Sequence, residues 1–322
     1  MKRITAVFLS LILMISALTG CGGAQKPHDG VKVVAAIFPI YDWVREVAQD
    51  DVDVKLDMLL DNGADLHSYQ PSAADIMDIS DSDVFIYVGG ESDKWVSDVI
   101  AQANNKDMIV LSLLDILGSS AKTEELKEGM QNGGENEKDA KDEPEYDEHV
   151  WLSLKNASLF VTGIAEALGK KDTQHAGAFK ANAEAYIDKL TELDRQYQSA
   201  ADSAETETLL FGDRFPFRYM VDDYGLDYYA AFSGCSAETG ASFETIVFLA
   251  DKVDELGLKA IMQTESSDGS IAKTIRDNTK TKDQEILTLD SMQSLTQKQV
   301  DSGETYLNIM QNNLEVLKKA LE

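Results

Sequence analysis

Eight short apolar runs alternate with helix-like segments along the chain, and this alternation constrains the fold most strongly. The first half contains "VKVVAAIFPI", "VDVKLDMLL", "DVFIYVGG" and "DMIVLSLL", and the second half contains "TETLLFGD", "DYYAAF", "LKAIMQTE" and "QEILTLD". Strands that alternate with helices predict a parallel sheet with helices packed on it. Because the second half repeats the order of the first, we predict an α/β fold with two similar lobes, each a mainly parallel sheet flanked by helices.

One long amphipathic run separates the two halves. The segment "TQHAGAFKANAEAYIDKLTELDRQYQSAADS" has no Gly or Pro after its first turns. A helix of about 30 residues spans roughly 45 Å, which is the size of a whole domain. We therefore predict a linking helix over residues 173–204, between an N-terminal lobe at 31–172 and a C-terminal lobe at 205–322. His175, near the start of this helix, is expected to be a surface or packing residue.

The N-terminus has the features of a secretory signal. Lys2 and Arg3 precede the apolar run "AVFLSLILMISAL", which is too short to span a bilayer as a stable helix. A basic start, a short apolar middle and small residues after it are typical of a signal peptide, here predicted over residues 1–20. The run ends in "LTGC", which resembles the bacterial lipobox. Cys21 is therefore expected to carry lipid, with residues 21–30 as a tether, and the protein is predicted to be extracytoplasmic and lipid-anchored to the bacterial cell membrane.

The charge and the cysteine count exclude several classes of protein. The formal net charge is -28, whereas a nucleic-acid-binding protein needs a basic face. Strong acidity instead fits a solvated surface with a mild attraction for cations. Cys21 and Cys235 are the only cysteines, so a lipidated Cys21 leaves no intramolecular disulfide. The hydrophobic core alone must then hold the fold.

Residues 119–148 differ abruptly in composition from the rest of the N-terminal half. The stretch "EELKEGMQNGGENEKDAKDEPEYDE" is rich in Glu, Asp, Lys, Asn and Gly and has almost no large apolar residue. Such a segment cannot bury enough surface to fold on its own. We predict an acidic, mobile loop that ends at His149 and increases solubility, and a loop that collects cations is the alternative.

Several potential ligands lie where binding residues are expected. His67 lies in a connection after the second predicted strand, and binding residues are often found in loops that a rigid scaffold positions. Asp213, Glu265 and Asp290 fall at the carboxyl ends of predicted strands, where open α/β sheets bind their ligands. Each carboxylate alone is equally compatible with a helix cap or a solvated loop, so their joint placement carries the argument.

Several motifs together resemble the zinc/manganese solute-binding lipoproteins of bacterial ABC transporters. They are the lipobox, "GADLHSYQPSAADI", "DEHVWLSLKNA", the long middle helix and "LDSMQSL…GETYLNIMQNNLEVLKKAL", and they cover essentially the whole mature chain. The resemblance implies two α/β lobes joined by a rigid helix, with one divalent transition metal ion in the cleft between them. It also implies a monomer that is not an enzyme and that delivers its metal to a permease and its ATPase.

The resemblance also implies three of the metal ligands. The family pattern "G-x-D-x-H-x-Y-x-P" is matched around His67, and the pattern "H-x-W-L" is matched at His149. The C-terminal carboxylate ligand of the family corresponds to Asp290. These positions predict a site with two imidazoles and at least one carboxylate.

The remaining ligand position of the family is occupied by Arg214. A guanidinium has no lone pair with which to bind a metal, so Arg214 is expected to position a carboxylate ligand instead. The adjacent Asp213 is the predicted ligand at this point. Glu265 is the first alternative and Cys235 is a more distant one.

The predicted ligand set is typical of a transition metal that is neither very hard nor very soft. Two neutral imidazoles with carboxylates suit zinc, manganese or ferrous iron, and a four-coordinate site with one carboxylate favours zinc. We therefore predict that zinc is the transported ion, with manganese as the second choice.

Two other classes of function compete with metal transport. A binder of organic solutes with the same two lobes would use Arg214 and Arg218 to hold a carboxylate or a sugar. A lipid-anchored enzyme would need a catalytic group such as Cys235, but the sequence contains neither a nucleophile elbow nor a metalloprotease motif. We therefore predict an extracytoplasmic metal-delivery protein and no enzyme.

Overall fold

The eight predicted strands are all present and form two four-stranded parallel sheets. The computed structural model describes residues 30–49, 52–131, 145–236 and 240–322. The strands are β1 (Val31–Ala35), β2 (Val54–Met58), β3 (Val84–Tyr87), β4 (Ile109–Ser112), β5 (Thr208–Phe215), β6 (Asp227–Ser233), β7 (Ala260–Thr264) and β8 (Glu285–Leu289). Their orders, β2-β1-β3-β4 and β6-β5-β7-β8, are the same topology used twice, which confirms the predicted pair of similar lobes.

Helices cover both sheets within the described ranges. They are α1 (Phe38–Ala48), α2 (Ala73–Ser80), α3 (Val96–Gln102), α4 (Leu113–Leu117), α5 (Leu154–Lys171), α6 (Ala176–Asp202), α7 (Arg218–Tyr224), α8 (Phe243–Leu256), α9 (Ser270–Asn278), α10 (Gln297–Asp301) and α11 (Tyr306–Ala320). In these ranges none of the helices has the length and apolar character needed to cross a bilayer. The predicted signal peptide and Cys21 lie outside the described residues.

The long helix α6 lies within the segment predicted to link the lobes. It contains 27 residues, which corresponds to a length of about 40 Å. Its buried positions follow the three- and four-residue spacing of one helix face and include Phe179, Tyr186, Leu190 and Tyr197. This face packs against α1, α5 and α11, so the helix is stabilised by elements from both halves of the chain. His175 precedes the first turn, where its Nδ1 contacts Asp172 at 2.5 Å.

Buried hydrogen bonds tie the C-terminal helix to the N-terminal lobe. The Tyr306 hydroxyl donates to the Trp151 carbonyl at 2.7 Å, and the Tyr306 backbone N–H donates to Asp42 Oδ2 at 2.9 Å. The Trp151 indole N–H in turn donates to the Ser291 carbonyl at 2.9 Å. Because Trp151 follows His149 by two residues, this network fixes the chain next to one predicted ligand.

The described part of the acidic stretch 119–148 packs against the C-terminal lobe. The Gln131 N–H donates to the Ala231 carbonyl at 2.9 Å, and the Lys122 N–H donates to the Tyr219 hydroxyl at 2.9 Å. Residues 119–131 and 145–148 therefore make specific contacts that the sequence did not predict. These residues have few large apolar side chains, as expected. Hydrogen bonds and ion pairs with the C-terminal lobe hold them in place of a hydrophobic core.

Asp42 provides a test of how the two lobes are joined. Burial raises the pKa of Asp42 from 3.8 to about 6, so the stability that its neutral form provides is complete below about pH 4 and lost as the pH rises through 6. Asp42→Asn keeps the acceptor for Tyr306 but cannot ionise. We expect the variant to exceed wild type in unfolding free energy by up to about 3 kcal/mol at pH 7 and to match it near pH 4. Urea unfolding at both pH values measures this, and a difference independent of pH would contradict the assignment.

Candidate metal centre

His67 is held by a short turn that reaches across to the other lobe. It lies in the 3-10 turn Leu66–Ser68 after β2, and Asp65 Oδ1 accepts the His67 backbone N–H at 2.9 Å. Arg214, on β5, donates from Nη2 to Asp65 Oδ2 at 2.9 Å. Burial would raise the pKa of Asp65, but the Arg214 guanidinium and the His67 N–H hold it below its ordinary value. Arg214 thus positions the histidine loop through Asp65, whereas the sequence predicted that it would position a carboxylate ligand.

The protonation of the His67 ring follows from its neighbours. The Ser92 hydroxyl donates its proton to Glu148 Oε2 at 2.5 Å, so its oxygen accepts from His67 Nδ1 at 2.9 Å. Glu148 Oε2 also lies 3.4 Å from His67 Nδ1. Although burial would raise the pKa of Glu148, hydrogen bonds from His67 and Ser92 hold it below its ordinary value. Nδ1 of His67 therefore carries the proton, and Nε2 has a free lone pair.

The paired glycines after β3 make room for this arrangement. Gly90 has φ +88, and a Cβ at this position would lie 2.8 Å from Glu148 Cγ. Only a residue without a side chain allows the Glu148 carboxylate to reach His67 here.

His149 is fully buried and is oriented in the same way as His67. Asp147 Oδ1 accepts both the His149 backbone N–H at 2.9 Å and the ring Nδ1–H at 2.9 Å. Burial would lower the pKa of His149, but the Asp147 carboxylate, with Glu124 and Glu148 beyond it, raises it above 6.5. A neutral His149 held in this way also has a free lone pair on Nε2, and a carboxylate behind a metal-binding histidine is a common support.

The two free nitrogens face each other. His67 Nε2 and His149 Nε2 are 3.1 Å apart, and two lone pairs repel at this distance unless a proton or a cation lies between them. Two nitrogens bound to one tetrahedral zinc ion at 2.0–2.1 Å are about 3.3 Å apart. The pair therefore fits the spacing of a zinc site.

A sulfur atom completes this group. Two groups of potential ligand atoms, each within 4.8 Å, occur among the residues that the structure describes: one contains His67, His149 and Cys235, and the other contains Glu124, Asp147 and His149. Since Asp147 binds the His149 ring at Nδ1, the second group supports the ring from the side away from His67. Cys235 directly follows Gly234, the residue after β6, and the sequence ranked it only as a distant alternative.

Gly234 lets the Cys235 turn lie against His149. A Cβ on Gly234 would be 2.9 Å from His149 Cε1 and 2.9 Å from the Phe215 carbonyl oxygen. Real Cβ atoms do not approach so closely, so any larger residue would push the turn away from the imidazole. Close contact between this turn and His149 therefore requires glycine at position 234.

Glu124 supports the cysteine. Its Oε1 accepts the Cys235 backbone N–H at 3.2 Å, and the carboxylate also accepts a hydrogen bond from the thiol. Burial and the neighbouring Asp147 raise the pKa of Glu124. Burial, together with Glu124, Asp147 and Glu148, raises the pKa of the Cys235 thiol. The centre therefore contains an excess of acidic groups, which favours a cation.

Asp213, whose role as a metal ligand stays a prediction, contacts a neighbouring strand. It lies inside β5, where the pairing with β6 shifts register between Phe211 and Arg214, and so it does not end the strand. Its Oδ2 accepts the Thr264 backbone N–H at 2.9 Å and the Thr264 hydroxyl at 2.7 Å. The carboxylate thus joins β5 to β7, and it belongs to neither of the two ligand groups described above.

Asp290 and Glu265 lie at strand ends, as predicted. Asp290 Oδ1 accepts the Met292 N–H at 2.7 Å, and Glu265 Oε2 accepts the Ser291 N–H at 2.8 Å. Burial, followed by the negative charge of Glu265, raises the pKa of Asp290 to about 7. Neither carboxylate belongs to the ligand groups around the two histidines, so Asp290 as a metal ligand stays a prediction.

The supporting residues were missed at the level of sequence. Ser92 and Glu148 are 56 residues apart, and Glu124 and Cys235 are 111 apart. The one local signal was "DEH", in which two acidic residues directly precede His149.

Comparisons with known proteins identify the family of this chain. A family model described as zinc-uptake complex component A, periplasmic, matches residues 33–320. The chain belongs to this family. Zinc-binding protein AdcA of Streptococcus pyogenes is 31% identical over 99% of this chain and 61% of its own length. The high-affinity zinc uptake system protein ZnuA of Bacillus subtilis is 26% identical over 93% of this chain and 90% of its own length.

A solved structure supports the same relationship. The Zn(II)-bound ZnuA-like domain of Streptococcus pneumoniae AdcA has a TM-score of 0.69 at 27% identity, covering 91% of this chain and 99% of that chain. This chain spans about three fifths of the length of its streptococcal AdcA relatives. The family consists of extracytoplasmic, metal-binding solute-binding proteins and not of enzymes. Membership of the family confirms the predicted extracytoplasmic location and the prediction that the protein is not an enzyme.

Gly90 allows the support of His67 to be tested. Gly90→Ala should displace Glu148 and weaken zinc binding at least tenfold, within the usual effect of disturbing the partner of a metal-binding histidine. Gly118→Ala is the matched control, because Gly118 also has a positive φ of +51 but a Cβ there would meet nothing within 4 Å. Calorimetric titration of chelator-stripped protein measures both variants, and equal affinities would contradict the proposed role of Glu148.

Proposed function

We infer that this protein captures zinc outside the cytoplasm and delivers it to an ABC-transporter permease that is driven by its ATPase. The observation that carries this proposal is the pair of Nε2 atoms 3.1 Å apart on His67 and His149, each with its Nδ1 held as a donor. Relatives named for zinc binding and zinc uptake support the choice of metal. The lipid on Cys21 would keep the monomeric protein close to the permease.

Zinc is favoured over manganese by the chemistry of the atoms near the two histidines. The group around them contains two imidazole nitrogens and one sulfur atom. Nitrogen and sulfur ligands suit zinc, whereas manganese prefers carboxylate, carbonyl and water oxygens. Manganese is therefore expected to bind more weakly.

The two arginines that an organic-solute binder would need are already engaged. Arg214 pairs with Asp65 at 2.9 Å, and Arg218 pairs with Glu125 at 2.9 Å and with Asp222 at 3.3 Å. A carboxylate ligand would have to displace these pairs, which disfavours the organic-solute alternative.

Removal of either histidine is the direct test of the proposed function. We expect His67→Ala and His149→Ala each to weaken zinc binding at least tenfold, which corresponds to about 1.4 kcal/mol. His175→Ala is the control, because His175 lies at the start of α6 and pairs with Asp172. Titration calorimetry with zinc and manganese measures the three variants. Wild-type affinity in both site variants would disprove the assignment.

The pH dependence of zinc binding provides a second test. Because acidic neighbours raise the pKa of His149 above 6.5 in the metal-free protein, protons compete with zinc at a higher pH than for an ordinary histidine. We expect zinc affinity to fall as the pH is lowered, and we expect this fall to have begun before the pH reaches 6.5. Titrations between pH 8 and pH 5.5 measure this, and a constant affinity down to pH 6 would contradict it.

A further inference from the structure

We propose that the Cys235 sulfur is the third ligand of the captured zinc ion, so that the site has two imidazole nitrogens and one thiolate. This inference rests on the proposed function and specifies its ligand set. The sulfur lies within 4.8 Å of ligand nitrogens on both His67 and His149, and His149 is fully buried with its Nε2 directed toward His67. The site is therefore a group of three atoms, one on the fully buried His149 and two on the partly buried His67 and Cys235. The two nitrogens have free lone pairs, and the sulfur becomes a ligand when its proton leaves.

The topology places His67 and Cys235 at equivalent points of the two lobes. His67 follows β2 and Cys235 follows β6, and each of these strands is the same edge strand of its sheet. Ligands of parallel sheets gather at the carboxyl ends of strands. An ion between the lobes would thus be held by one residue from each equivalent edge, with His149 between them.

Arg214 explains why the third ligand comes from the cysteine turn. The Arg214 side chain is directed to Asp65 at 2.9 Å, and its Nη1 lies 3.5 Å from the Ser236 carbonyl, next to Cys235. The arginine therefore holds the turns of both proposed ligands, His67 and Cys235, without binding the metal itself.

Glu124 is the positioning residue for the sulfur. It accepts hydrogen bonds from both the backbone N–H and the thiol of Cys235. When zinc binds, the Zn–S bond forms as the S–H bond breaks, and the proton passes to the Glu124 carboxylate and then to solvent. The described part of the acidic stretch thus contributes directly to metal capture.

Cobalt(II) provides a spectroscopic test, because a cobalt–thiolate bond gives a charge-transfer absorption in the near ultraviolet that nitrogen and oxygen ligands do not. We expect this band in the full-length cobalt-loaded protein and its loss in Cys235→Ser. Zinc affinity should fall at least tenfold in Cys235→Ser. Since Cys21 is unchanged in the variant, a band that disappears reports on Cys235 alone.

Adjacent acidic residues supply the control for positioning. Glu124→Gln should weaken zinc binding several-fold and shift the cobalt band, while Glu125→Gln should do neither, since Glu125 pairs with Arg218. Far-ultraviolet circular dichroism checks that each variant is folded.

The failure of this inference is distinguishable from failure of the proposed function. A wild-type protein that binds zinc but shows no charge-transfer band, together with full affinity in Cys235→Ser, would overturn the thiolate ligand and leave zinc capture intact. A wild-type protein that binds no zinc would overturn both.

Discussion

The contact between two imidazole nitrogens, one on His67 and one on His149, is the constraint on which the rest of the centre depends. The two Nε2 atoms are 3.1 Å apart. If both have lone pairs directed at each other, this distance is unfavourable unless a positive charge lies between them. The surrounding structure maintains it from both sides, with Glu148 and Ser92 behind one ring and Asp147 behind the other. The buried carboxylates produce a negative electrostatic potential that favours a cation at this point. The acidic composition of the chain alone would not select this position.

The elements of the fold were predictable because their signals are local. Apolar runs gave all eight strands, and the uninterrupted amphipathic run gave α6. His67 and His149 were also predictable, since each lies in a short motif. The contact of Asp213 with Thr264 was not predictable, because the pairing of β5 with β6 shifts register between Phe211 and Arg214 and β5 continues to Phe215, past the apparent strand end. No local pattern reports such a shift.

The role of Glu124 could not be predicted, and Cys235 was only a distant alternative, because their contact joins segments that lie 111 residues apart in the sequence. The composition of 119–148 predicts a stretch that cannot form a core of its own. However, such a stretch can still be ordered where another part of the protein supplies its partners, as Tyr219 does for Lys122. Low hydrophobicity therefore predicted the absence of a core here, but not the absence of a function.

The distribution of ligands between the two lobes has a thermodynamic consequence. His67 and His149 belong to the N-terminal half, so an ion bound by them alone would stabilise the contact between their two loops. An ion that also binds Cys235 links the N-terminal half to the turn after β6, and its binding free energy then adds to the stability of the interface between the lobes. Arg214 and Asp65 already make a link of this kind at 2.9 Å. Its positive charge belongs to a side chain of the protein, so this link is also present without metal. The metal would add a second link that is present only while the ion is bound. Metal binding and the association of the two lobes would then be thermodynamically coupled.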